Sequence, residues 1–349
     1  MTKLHILGGL GLIMAAGTAT AEGEISLLTW EGYADDSFVA PFTEATGCTV
    51  SPKYIGSGDE IITALLAGRG DDYDLVSPSS DIVDRLIDAG KVEPVDMSRV
   101  PNAEGFFGAF KNPDYLMRGD DVYGVPYAYG IIRIIADGAQ VTEPGASIDL
   151  LWSDGMEGQV AIWDDIEAVY MAGRYLGFDN VYEMSDEELA QARDALLRMK
   201  PNVRKYWFTA GELDTLYQQN EIVASNAWES TMIELIRAGR NVVEIIPQEG
   251  RGGWTDSWLV VEGAGANDCV YEWLNYTASA EAHAAGFSVT GFGYANANMS
   301  ESLSEDDQAL LSQLNMDNPN ALDDVDWWQP VNNRGAYLEI WNQVKAASN

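Results

Sequence analysis

The stretch EISLLTWEGYADDSFVAPFTEATGCTVSPKYI, residues 24–55, decides the fold class. EISLLTW is an apolar, β-branched-rich run that stops at a Trp and opens into an acidic loop, as a buried strand does. SFVAPFTEATG spaces its apolar residues at helical intervals and ends on a Gly, a helix stop. CTVSPKYI then reads as a second strand. The same order continues. Ser57-Gly58-Asp59-Glu60 is a capping box ahead of IITALLAGRG. YDLVSPSS is a third strand with a turn, and DIVDRLIDAG a third helix. Strands alternating with helices predict an α/β fold with a parallel sheet covered by helices.

Downstream, VYGVPYAYGIIRIIAD carries the chain out of this unit, and the pattern restarts. GQVAIWDD, EIVASNAW and DSWLVVEGA read as strands. EAVYMAGRYLG, SDEELAQARDALLRM (with a capping box from Ser185 to Glu188) and DCVYEWLNYTAS read as helices. No repeat and no low-complexity linker separates the two units. Two α/β lobes joined by ordered crossings are expected, and a cleft between such lobes is a favoured site for small ligands.

The first 21 residues hold one Lys, an apolar run from Leu4 to Ala16 and Ala19-Thr20-Ala21. This is the layout of a secretory signal peptide with cleavage near Glu22. The run is short for a bilayer span. Of the 349 residues, 20 are Lys or Arg and 55 are Asp or Glu, giving a formal net charge of −35. Lys3 is the sole Lys, Arg, Asp or Glu in the leader, so its removal leaves the acidity in place. Such a charge disfavours nucleic acid and anionic membranes and draws cations. Most of it is surface acidity, since few carboxylates fit one pocket. Cys48 and Cys269 are compatible with one disulfide in an oxidising compartment or with two small buried hydrophobes. Beyond the leader the lone histidine is His283, which leaves little material for histidine catalysis or a His-rich metal site; no cofactor is expected.

Several strand ends share a theme: LLTWEGY, LVSPSSD, VAIWDD, IVASNAWES and GGWTDSW each carry an aromatic with a small hydroxyl or a carboxylate. Carboxyl ends of strands are where open α/β sheets bind ligands. An ammonium over a Trp face gains about 0.5–2 kcal/mol, and a carboxylate adds a charge-assisted hydrogen bond. An aromatic pocket for an organic cation follows, against the plainer reading that these Trp are core. No nucleophile elbow, HExxH, Walker or EF-hand pattern is present. The adjacent Asp164 and Asp165 are too common a feature of acidic chains to argue for a glycosidase.

The ordered series LLTWEGY, DYDLVSPSSDIVDRL, VPYAYG, RMKPNVRKYW, NAWES, GGWTDSW and GYANAN, running from about Glu24 towards the C-terminus, resembles the periplasmic polyamine-binding proteins of ABC importers. The resemblance implies a two-lobe periplasmic binding protein fold, with lobe 1 at 24–131 plus 257–300 and lobe 2 at 132–256 plus 301–349. It implies a monomer that delivers a polyamine-type amine (putrescine or spermidine) to a membrane permease and is no enzyme. It places Trp30 and Tyr33 as the first aromatic pair, Ser79 as a loop serine and Trp228 as the wall of the second lobe. Trp254 and Asp256 correspond to the pair that holds a terminal ammonium, Tyr294 and Gln329 to late polar contacts, and Asp165 to an acidic contact.

The sequence departs from the family at telling positions. Gly32 stands where an acid is frequent, Ala168 where a Glu grips an amine, and Thr231 where putrescine binders have an Asp. Asp81 replaces a residue that is often aromatic. A diamine then needs another carboxylate, and Asp81, Asp165 and Glu229 are the candidates. Arg133 interrupts GIIRIIA at the crossing. It either pairs internally, with Asp165 or Asp256, or receives a ligand carboxylate, with Arg204 as a weaker second candidate. The latter case makes the protein a receptor for an ω-amino acid such as γ-aminobutyrate. A third reading, a secreted carbohydrate-active enzyme or lectin, suits any acidic cleft rich in Trp.

Overall fold

A computed structural model of the chain describes residues 23–68, 70–143, 145–314, 316 and 325–347. The expected signal peptide at 1–21 lies outside them. The first strand, Gly23–Trp30, pairs in parallel with Cys48–Ile55 on one side and Leu75–Val76 on the other. Local chemistry explains the helix between the first two. The Asp35 carboxylate accepts from the Ser37 amide at 2.9 Å and starts the helix Asp36–Thr46. Gly47, at φ 79°, ends it in the left-handed conformation that costs glycine least. Phe38 and Phe42 are the buried residues of this helix, and both rings meet Trp273. Leu27 and Leu28 are both buried although successive residues point to opposite faces, because helices cover the sheet on both sides.

The sheet is mixed rather than wholly parallel. The long strand Arg251–Val261 runs antiparallel to Leu75–Val76 and to Val125–Ile131, and Gly293–Tyr294 adds to the latter. Val92–Glu93 and Val325–Trp327 also pair with Arg251–Val261. A second sheet of five strands has the order Val203–Trp207, Val160–Trp163, Ala224–Ala227, Arg133–Asp137, Val242–Ile245. Its first three strands are parallel and its last two antiparallel to their neighbours. The chain therefore crosses from the large sheet to the small one at Ile132, whose amide donates to the Gly252 carbonyl at 2.8 Å. It is back in the large sheet by Arg251, ahead of the division at 256/257 that the resemblance implies. A further passage lies between the strand Val325–Trp327, on the large sheet, and the helix Arg334–Ala346, which packs on the helices Glu167–Leu176 and Asp186–Met199.

Cys48 and Cys269 are disulfide-bonded, with Cα atoms 5.8 Å apart. The bridge ties the outer strand of the large sheet to the helix Asp268–Thr277. Among the described residues no helix is long and apolar enough to cross a membrane.

Candidate functional site

Three strands from two sheets end at one place. Trp30 closes Gly23–Trp30, Trp163 closes Val160–Trp163, and Trp228 directly follows Ala224–Ala227. Their rings meet edge to face, with centroids 6.0 Å apart for Trp30 and Trp228 and 5.1 Å for Trp163 and Trp228. Trp328 lies parallel to Trp163 at 6.1 Å. On the other side the strand Arg251–Val261 presents Trp254 and Asp256, two residues apart and so on one face. Trp254 packs edge-on against Phe292 at 4.8 Å. These residues, with Glu31, Tyr33 and Ser79, enclose a cavity of about 300 Å³, of which about 20 Å³ is open to a water-sized molecule. An organic guest therefore needs the walls to part.

Indole nitrogens fix two of the walls. Trp30 Nε1 donates to the Ser77 carbonyl at 2.8 Å. Trp163 Nε1 reaches the Gly56 carbonyl at 2.9 Å, a bond from the small sheet to the loop after Cys48–Ile55. Phe208 sits against the same glycine: a Cβ at Gly56 would lie 2.5 Å from its ring. Gly32 also has a local reason. It turns the chain at φ 88°, and a Cβ there would meet Thr290 at 2.7 Å, so an acid is excluded. That turn brings Tyr33 under the sheet.

The Asp256 carboxylate accepts from Tyr33 Oη at 2.6 Å and from Ser79 Oγ at 2.5 Å. It is 3 % exposed, and burial pushes its pKa up to about 7, against the pull of those two hydroxyls. No cationic side chain pairs with it among the described residues. A buried carboxylate held by neutral donors and facing indole rings lacks the charged partner that ionised oxygen out of water demands. Glu31 is the other acid on the cavity wall, and its Oε2 is buried without a hydrogen-bond partner among the described residues. So are the Nε1 atoms of Trp254 and Trp328.

Of the residues expected in the site, Trp30, Tyr33, Ser79, Trp228, Trp254 and Asp256 line this cavity. The others do not. Tyr294 is buried one layer behind, its hydroxyl bonded to Thr290 Oγ1 at 2.9 Å and its ring against Tyr127. Gln329 lines a neighbouring cavity walled by Phe107, Phe110, Tyr129 and Trp327. Asp81 is taken by Arg334, which donates to it at 2.5 Å and to both oxygens of Asp59 at 2.9 and 3.2 Å. Burial works against the Arg334 charge, yet Asp81, Tyr170 and Asp59 hold its pKa well above the ordinary value. Asp165 accepts the Glu167 amide at 2.9 Å; burial lifts its carboxyl to about 7 even though Arg334 pulls it down.

Arg133 is internal, as one of its two expected roles required, but its partners differ from those foreseen. It pairs with Glu244 at 2.6 Å and Glu229 at 3.5 Å, and not with Asp165 or Asp256. The reason is strand register: Arg133 opens the strand Arg133–Asp137, which runs beside Val242–Ile245 and brings Glu244 alongside. Glu229 accepts the Ile131 amide at 2.8 Å through the same oxygen that meets Arg133, while its other oxygen is buried without a hydrogen-bond partner among the described residues; it does not line the cavity. Arg204 is half-exposed and paired with Glu221 at 2.8 Å. Neither arginine faces the cavity. Ala168 is buried in the first turn of its helix, while Glu167 beside it is held by Arg174 at 3.5 Å and by Asn226 at 3.1 Å. Glu31, Trp163, Phe292 and Trp328 were not foreseen. The VAIWDD strand end carried a signal for Trp163; a loop Phe and the second Trp of DWWQP carry none without the fold.

Residues 37–311 match the model of the bacterial extracellular solute-binding proteins. The chain belongs to that family. Its family and fold are those of solute-binding transport proteins. The spermidine/putrescine-binding periplasmic protein of Escherichia coli K12 is 26 % identical, over 78 % of each chain. The putrescine/agmatine-binding protein of Pseudomonas aeruginosa is 24 % identical over 99 % of this chain and 98 % of its own. Among solved structures, a Listeria monocytogenes protein assigned to spermidine/putrescine ABC transport superposes with a TM-score of 0.84 at 20 % identity, covering 93 % of this chain and 99 % of the other. The two-lobe periplasmic binding protein fold expected from the sequence is therefore the fold observed.

Proposed function

We propose that this protein is the periplasmic receptor of an ABC importer and captures a cationic amine of the polyamine class between its lobes. The observation that carries the reading is Asp256: a buried carboxylate with hydroxyl donors alone, facing a box of Trp30, Trp163, Trp228 and Trp254. The names of the relatives above support the ligand class. The ammonium binds Asp256 by a charge-assisted hydrogen bond and lies over indole faces, while Tyr33 and Ser79 hold the carboxylate in place. No bond is made or broken; the protein carries solute and has no chemistry of its own.

The lobe built on the large sheet and the lobe built on the five-stranded sheet part to admit the amine and close over it, as a monomer whose closed form engages the permease. The ω-amino acid reading loses its support, since Arg133 and Arg204 are both ion-paired within the chain. Isothermal titration of the secreted protein against putrescine, spermidine and γ-aminobutyrate tests the proposal. Saturable binding of an amine and none of γ-aminobutyrate is expected. Binding of γ-aminobutyrate alone, or of no amine, refutes it.

A further inference from the structure

A buried ammonium needs a carboxylate that no other cation has claimed. The acids around the cleft divide sharply on this count. Asp256 and Glu31 line the cavity and have no basic partner among the described residues. Asp214 also has no basic partner among the described residues, but it does not line the cavity; the other buried acids nearby are neutralised from within. Arg334 bonds Asp81 through one terminal nitrogen and grips both oxygens of Asp59 through Nε and the other, and Asp165 lies in the field of the same guanidinium. Arg174 holds Glu167, and Arg133 holds Glu229 and Glu244. None of Asp59, Asp81 and Asp165 lines the cavity, whose wall on the second lobe is made of Trp163, Trp228 and Trp328. Arg334 is 3 % exposed and opens the helix Arg334–Ala346, which packs on the small-sheet helices, while Asp59 and Asp81 sit on the helices Gly58–Leu66 and Ser80–Asp88 beside the large sheet. It spans the two halves as a fixed internal cation.

We propose that Arg334 makes this receptor selective for a short amine, with all of its charge inside the Trp box at Asp256 and Glu31, by occupying with its own guanidinium the acidic cluster that a longer polyamine would need for its far end. This rests on the amine reading above and narrows it. A triamine entering this cleft places one ammonium where the available carboxylates are already paired and a fixed positive charge stands nearby. The repulsion and the unpaired charge both weaken it. A short diamine has no ammonium to place in that paired cluster.

The test is a titration series on the intact, oxidised protein with putrescine and spermidine, repeated with Arg334→Met. For the wild type, putrescine binding at least tenfold tighter than spermidine is expected. In Arg334→Met, where Asp59, Asp81 and Asp165 lose their internal partner, spermidine should gain at least tenfold relative to putrescine. Spermidine binding as tightly as putrescine, or more tightly, to the wild type overturns the inference while leaving the amine reading intact. An unchanged putrescine-to-spermidine ratio in a folded Arg334→Met overturns it too. Should that variant not fold, the wild-type series decides. Failure of both amines to bind the wild type removes the amine reading and this one with it.

Discussion

Replacing Asp256 with Asn isolates the charge from the shape of the site. The amide is nearly isosteric, and its oxygen can still accept from Tyr33 or Ser79, which now donate at 2.6 and 2.5 Å. What disappears is the anion. Leaving a ligand ammonium buried beside a neutral amide costs about 3–5 kcal/mol, which is roughly a 150- to 4,000-fold loss in affinity. The empty protein responds differently. Burial holds Asp256 near 7, above the ordinary value of about 3.9. The folded state therefore binds that proton more tightly than the unfolded one, and stability from this group is lost as pH rises through 7. Asn has no proton to lose, so the empty variant should melt at the same temperature as the wild type or higher at pH 8. Wild-type affinity for putrescine should rise about tenfold per pH unit up to 7 and level off above it, with proton release on binding, because the carboxylate is the binding form. The variant should be flat. Titration calorimetry in buffers of different ionisation enthalpy, with thermal melts at pH 6 and 8, reads all three effects. Near-wild-type affinity of Asp256→Asn at pH 8, or a flat wild-type profile, would falsify the assignment of Asp256 as the cation partner.

Trp254→Ala should weaken amine binding by about 1–3 kcal/mol through lost cation–π contact and desolvation; a change below twofold in the dissociation constant would make this indole a packing residue. Arg133→Met strips Glu229 and Glu244 of their buried partner and should destabilise the fold by about 3–5 kcal/mol in urea unfolding. The same variant should leave the ranking of amines unchanged, and a shift in that ranking would mean that Arg133 reaches the ligand. Reducing the Cys48–Cys269 bridge, or replacing both residues by Ala, should cost about 2–5 kcal/mol of stability while binding at 20 °C persists. Equal unfolding midpoints with and without reductant would show that the bond does not form in the purified protein.

Much of the architecture was legible because it is local. Strand, helix and cap signals act over a few residues. The Gly47 stop and the Ser57–Glu60 and Ser185–Glu188 boxes all appear where the sequence puts them. Two cavity walls were legible for the same reason, since Trp30 and Trp228 each stand at the end of a strand, whereas the Trp254/Asp256 pair lies inside the strand Arg251–Val261. Mixed pairing was missed because Arg251–Val261 joins the large sheet from the far end of the chain, with nothing in its pattern to set its direction.

The sequence by itself determined the alternation of elements, the acidity and the aromatic strand ends. It could not determine which carboxylates remain free for a ligand. Asp81, Asp165 and Glu229 read alike along the chain, as acids beside strand or helix ends. Distant arginines decide for two of them: Arg334, 253 residues away, takes Asp81, and Arg133 takes Glu229. Coulombic pairing depends on separation in space and on burial, and only the folded chain fixes either. Asp256 is left without a basic partner among the described residues because the tertiary structure surrounds it with hydroxyls and indoles.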